Sequence, residues 1–185
     1  DLVKREISGI ARSLRQTYLA TDGNEKFVMK GDNLYKGNTM LSGNYKLVDQ
    51  LKNEQEVEVS LFFGDVREVT TLKDESGKRE INTKMSSEVY DTLKKGEEYF
   101  ATNVDVFGTN FYGYYVPVYQ PGTKEFAGSV FCGRTQTQVT QSLRNTIISM
   151  AVVMLAIFVA ALIIVLLMVK RIVKSIDGAV SNLGN

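Results

Sequence analysis

The sequence predicts an α+β domain, built from a long N-terminal helix and an antiparallel sheet, followed by a membrane-spanning helix. Three observations carry that prediction. Residues 1–20 place Val3, Ile7, Ile10 and Leu14 at helical spacing, with charges on the other faces. Residues 56–132 alternate β-branched and aromatic runs with turn clusters rich in Gly, Asp and Pro. Thr146–Val169 then runs for 24 residues without a charge, a proline or a glycine. At about 1.5 Å per residue such a helix is roughly 36 Å long, enough to cross the ~30 Å hydrocarbon core of a bilayer. The expected organisation is an outer domain at 1–145, a span at 146–169 and an inner piece at 170–185.

The first helix offers its apolar seam either to the chain's own core or to a partner helix. Turn clusters follow at Asp22-Gly23-Asn24 and Lys30-Gly31-Asp32-Asn33, with strand candidates at 26–29 and 34–41. Residues 45–55 have helical spacing through Leu47, Val48 and Leu51. Residues 56–63 read as a strand with Val57, Val59, Leu61 and Phe63 on one face. A tight turn at Gly64-Asp65 leads to a returning strand at 66–73, and Asp74–Lys78 is a second turn. Residues 86–95 predict a short helix, with serines to cap its start, Glu88 in its first turn and lysines at its end. Long strands at 98–107 and 110–119 meet around Gly108, and Gln120-Pro121-Gly122-Thr123 is a β-turn before a last strand at 126–132. From Gln136 a helical pattern continues into the apolar run without a stop signal.

Composition excludes several functions. Net charge is +1 and no basic stripe interleaves with aromatics, so nucleic acid is not an expected partner. The chain has no histidine, which removes His-based triads, His acid–base chemistry and most zinc sites; no cofactor and no metal are expected. The single cysteine, Cys132, lies in an apolar strand pattern and reads as a buried, inert thiol. Lys170, Arg171 and Lys174 follow the span directly, against Arg144 and Arg134 before it, which puts the C-terminal piece in the cytoplasm and residues 1–145 outside. The chain opens on Asp1 and closes inside a helical pattern, so a longer receptor is expected, and a first membrane segment ahead of Asp1 stays open.

The motifs from Ser60 to Arg67 (SLFFGDVR), then Thr70, Gly77-Lys78-Arg79, Asn82-Thr83-Lys84, Gly96–Tyr99 (GEEY), Phe111–Val118 (FYGYYVPV) and Pro121–Gly133 (PGTKEFAGSVFCG) stand in a recognisable order. In that order and spacing the chain resembles the extracytoplasmic single Cache sensor domains of bacterial receptors, across roughly residues 1–169. The family usually carries glycine where Asn82 stands. The resemblance implies a PAS-like antiparallel sheet behind the N-terminal helix. Val173, Ile176, Val180 and Leu183 have heptad spacing and resemble the first helix of a HAMP linker, although the proline usual after the membrane is replaced by Ser175-Ile176.

A sensor of this kind takes its ligand in a pocket of the outer sheet, lined by aromatics with a few charges to orient a small polar molecule. The expected ligand residues are Arg67, Thr70, Arg79, Tyr99, Tyr112 and Tyr114. Arg67 and Arg79 suit a carboxylate through paired N–H donors, with Lys84 as a further point charge. On the 110–119 strand, Tyr112 and Tyr114 share one face, and Phe111 and Tyr115 the other; one set lines the pocket and the other packs on the helix. The plainer reading makes the tyrosines core residues and pairs Arg67 with Asp65 at the surface. Asp65, Glu68, Asp74 and Glu75 match no metal loop and read as a charged hairpin surface.

The expected function is the sensing and signalling part of a receptor, most like a chemotaxis receptor, that binds a small organic acid or amino acid as a homodimer and passes a helix displacement inward. The rivals are the sensor part of a histidine kinase or cyclic-nucleotide enzyme, an anchored binding module without signalling, and an anchored enzyme. No nucleophile or metal constellation supports the enzyme, and the heptad spacing after the span speaks against the inert module.

Overall fold

The computed structural model describes residues 2–106 and 108–183, with side chains to residue 174. Two units separate along the chain, Asp1–Val139 and Thr140–Asn185. The first is the α+β domain. Helix α1 (Leu2–Ala20) buries Ile7, Ala11, Leu14 and Tyr18. Val3 and Ile10 are partly buried beside them, so the predicted seam is turned onto the chain's own core. Strands β1 (Phe27–Lys30), β2 (Asn33–Lys36) and β3 (Thr39–Met40) make a small antiparallel sheet. The single strand expected over 34–41 is broken because Gly37 turns with φ +59°. Helix α2 (Lys46–Gln55) ends on Glu56 in the left-handed conformation, its N–H donating to Lys52 O. That cap delays the next strand, β4 (Glu58–Phe63), by two residues from the start expected at 56.

The main sheet adds β5 (Val66–Thr70), β6 (Tyr99–Val106), β7 (Thr109–Tyr119) and β8 (Phe126–Thr135) in the order β5-β4-β8-β7-β6, antiparallel throughout. Helix α3 (Ser87–Lys94) precedes β6 and starts at Ser86, whose Oγ accepts from Val89 N. Phe107, expected at the end of β6, lies outside the described residues.

The sheet is apolar on both sides. One face carries Val59, Leu61, Val69, Tyr114, Val116, Val130 and Cys132 under α1. The other carries Phe62, Tyr115 and Phe131 against Met85, Val89 and Leu93 of α3 and its approach. This is why β4 does not show the one-sided alternation read from its sequence: Phe62 is as buried as Leu61.

Lys36 is fully buried, donating to Gly23 O at 2.6 Å and to Thr21 O at the C-terminal end of α1. A cation against the last carbonyls of a helix is favourably placed. Cys132 is free and buried, and burial pushes its thiol pKa up.

Helix α4 (Gln136–Leu183) starts at the end of the first unit and carries the second from Thr140. Over Gln136–Lys174 it is long and apolar enough to cross a membrane, and its most apolar stretch is not buried against the protein. The side chains of Ile176, Val180 and Leu183, which carry the heptad expectation, lie outside the described residues.

Candidate functional site

The face of the sheet that carries α3 holds a cavity of about 400 Å³. Its floor is Tyr115 on β7 with Tyr99 and Ala101 on β6. One wall is Thr83–Ser86 and Val89 at the start of α3, and the other is residues 103–106 at the end of β6. Arg67 of β5 reaches into it.

A β-bulge gives Arg67 that aim. Leu61 pairs with Val69 and Phe62 with Arg67, so Glu68 has no partner across β4. Without the extra residue, Arg67 and Val69 would share a face; with it, Val69 joins the core under α1 and Arg67 lies over the Phe62 ring, 4.9 Å from its centroid.

Arg67 is 8% exposed. Its Nη1 donates to Thr83 Oγ1 at 2.5 Å, while Nε is buried without a partner. Among the described residues no carboxylate pairs with it. Burial therefore pulls its pKa below the ordinary value, against the opposing fields of Tyr115 and Glu80. Burial likewise pushes the Tyr115 hydroxyl up to about 12, with Arg67 acting in the other direction. Asp65, expected as the partner of Arg67, pairs with Lys84 at 3.1 Å instead.

The backbone beside Arg67 depends on Asn82, at φ +63°, a left-handed conformation that explains why glycine suits this position. Asn82 N–H donates to Arg67 O, and Arg67 N–H to Thr83 O, each at 2.8 Å. Asn82→Val is expected to cost about 1–2 kcal/mol, read as a drop of a few degrees in Tm, while Asn82→Gly holds or raises it.

The structure brings together only two of the six expected ligand residues, Arg67 and Tyr99. Arg79 grips Asp49 of α2 with two bonds of 2.8 and 2.7 Å, donates to Thr70 O at 2.7 Å and stacks on Tyr45 at 3.9 Å. It is a strut between α2 and β5 and does not line the cavity. Thr70 is fully buried and bonds Ser60 Oγ at 2.8 Å, which holds β4 to β5. Tyr112 and Tyr114 are on the opposite face, packed with the core under α1. The expected residues missed Tyr115, because both sets of alternating aromatics on β7 look alike. Gly113 offered a signal: a side chain there would meet the Phe131 ring at 2.8 Å, so that face is the one kept open for rings and a cavity.

Tyr114 has a structural role. Its hydroxyl donates to Glu98 Oε2 at 2.6 Å, and Arg12 of α1 donates to the same carboxylate at 3.0 and 2.5 Å. These bonds, Arg12 first, hold the Glu98 pKa below 4.5. A depressed carboxylate contributes stability above its unfolded value and loses it as pH falls through the folded one. Glu98→Gln is therefore expected to flatten the fall in Tm below about pH 4.5, with less effect on the acid limb than a buried pair would have.

A helix on one face of a five-stranded antiparallel sheet, with a small charged cavity on the other, is a PAS-like arrangement. Residues 39–146 match the family described as Single cache domain 3, more than half of the chain, and the chain belongs to that family. The match begins at β3, later than the start at residue 1 that the motifs implied. Among solved structures, the E. coli DcuS sensor domain is similar over 56% of this chain and 74% of its own, with 19% identity and a TM-score of 0.43. No curated protein matches the chain.

Proposed function

We propose that this chain is the ligand-sensing and transmembrane part of a bacterial receptor, and that its ligand is a small organic acid or amino acid held through a carboxylate by Arg67. The observation that carries the reading is a buried guanidinium with one hydrogen-bond partner and a free Nε, beside a cavity large enough for such a molecule. Buried charges are ordinarily paired, and an anion in the cavity supplies the pair. The first turn of α3 adds favourable dipole there, since Ser86 and Val89 line the cavity. Tyr99 and Tyr115 supply rings for the rest of the ligand.

Signalling follows from continuity. β8 ends at Thr135 and α4 begins at Gln136, so a ligand that favours one arrangement of the sheet biases the position of the membrane helix. We assign residues 1–145 to the outside and the C-terminus to the cytoplasm from the Lys170, Arg171 and Lys174 flank, with a HAMP start after the span, a homodimer and a chemotaxis output. The receptor carries out no catalysis of its own in this reading; the absence of histidine supports that.

The test is a thermal-shift screen of the full chain in detergent micelles against small acids, amino acids, sugars and nucleobases. A ligand of the native state at a hundredfold excess over Kd adds about 2.7 kcal/mol. A shift confined to carboxylates is expected. A shift with sugars or nucleobases alone, or with nothing, overturns the assignment.

A further inference from the structure

The bulge that aims Arg67 into one cavity sends its neighbour elsewhere. Glu68 is 8% exposed, and it lines a second cavity of about 680 Å³ between the small sheet and β5. Its carboxylate receives one long bond, 3.5 Å from Ser42 Oγ, and among the described residues no cation pairs with it. This departs from the charged hairpin surface read from the sequence, where Glu68 was counted among solvated acids. The other walls are mixed: Met29, Met40, Tyr45 and Ile81 line the same space together with the Asp32 carboxylate, and Met40 and Ile81 are 45% and 37% exposed.

We propose that this second cavity binds a small organic ammonium ion, with Glu68 as its counter-ion and the Tyr45 and methionine side chains around its hydrocarbon part. A buried carboxylate with a single weak donor is costly to keep and is stabilised by a cation that brings its own N–H donors. Burial raises the Glu68 pKa, the direction expected of a carboxylate that lacks such a partner. A hard metal ion is the wrong occupant: calcium takes six to eight oxygens, and no group of three acidic, Cys or His ligands occurs among the described residues. Arg79, which stacks on the Tyr45 ring of the lining, is already neutralised by Asp49. The two cavities share no lining residue and differ in the sign of the charge that β5 sends into them, Arg67 into one and Glu68 into the other. One extra residue in β5 thus gives the domain an anion site and a cation site side by side in sequence.

The experiment is calorimetric titration of the full chain in lipid nanodiscs, with empty nanodiscs subtracted. The probes are n-butylammonium and putrescine, with n-butanol and 1,4-butanediol as their neutral counterparts. Saturable binding of at least one ammonium, at least tenfold tighter than its neutral counterpart, is expected. Glu68→Gln, which keeps the Ser42 contact and the size of the side chain, is expected to weaken that binding at least tenfold. Met40→Lys, at an exposed rim position, is expected to abolish it by tethering an ammonium in the cavity while the fold is retained. Arg67→Met is expected to leave it unchanged, which separates this site from the carboxylate site. No preference for any ammonium over its neutral counterpart, or full affinity in a folded Glu68→Gln protein, overturns the proposal.

Discussion

Gly128→Ala is expected to cost more than about 4 kcal/mol and to leave the α+β domain unfolded. Gly128 lies in β8 between two strands, opposite Phe63 on β4 and Val118 on β7. A Cβ there would stand 2.0 Å from Phe62 O and 2.8 Å from Phe62 C. Both are backbone atoms of the paired strand, so no side-chain rotation relieves the overlap; β4 and β8 must separate. Gly64 N–H, which donates to Ala127 O at 2.8 Å, would lose its partner in that separation. The control is Gly9→Ala. Gly9 is on the exposed side of α1 with nothing within 4 Å of the added methyl, and alanine there is expected to stabilise the helix by about 0.5–1 kcal/mol. Thermal melts of the two variants read both signs at once. A Gly128→Ala protein that melts with the wild type would contradict the close approach of these strands.

Arg67→Met is expected to leave the unliganded protein no less stable than the wild type and to weaken carboxylate binding about 100-fold. The two effects have one cause. A guanidinium held in a buried place with a depressed pKa destabilises the empty domain, and an apolar side chain of similar length removes that penalty at the loss of the Thr83 bond. With a carboxylate bound as proposed, the same group would make charge-assisted bonds worth about 1.5–3 kcal/mol each, which methionine cannot make. Stability by thermal melt and affinity by titration separate a binding residue from a structural one. A loss of more than about 3 kcal/mol in the empty protein would make Arg67 a structural keystone instead.

The elements that local chemistry decides were legible in the sequence. Helix α1, the cap at Ser86, the Gly64-Asp65 turn and the Gln120–Thr123 turn stand where their residues put them, the last closed by Thr123 N–H to Gln120 O at 3.1 Å. The errors lie where one residue changes a register. Glu56 turns left-handed to close α2, and Gly37 cuts a strand in two. Glu68 bulges and reverses the facing of everything after it in β5, which no alternation pattern reveals. Arg79 looked like a ligand clamp because its partner, Asp49, is 30 residues away and meets it only in the fold. The aromatics of β7 alternate on two faces of equal character, and only α1 on one side and α3 on the other distinguish Tyr114 from Tyr115.

The most direct test of the account is the side-chain N–H signal of Arg67 Nε, followed by NMR in the full chain while a carboxylate that raises Tm is titrated. Nε is buried without an acceptor in the empty domain. Its resonance, absent from Arg67→Met, is expected to move saturably with the Kd of the thermal shift as the carboxylate takes that bond. A carboxylate that stabilises the protein while the Arg67 Nε resonance stays still would contradict it.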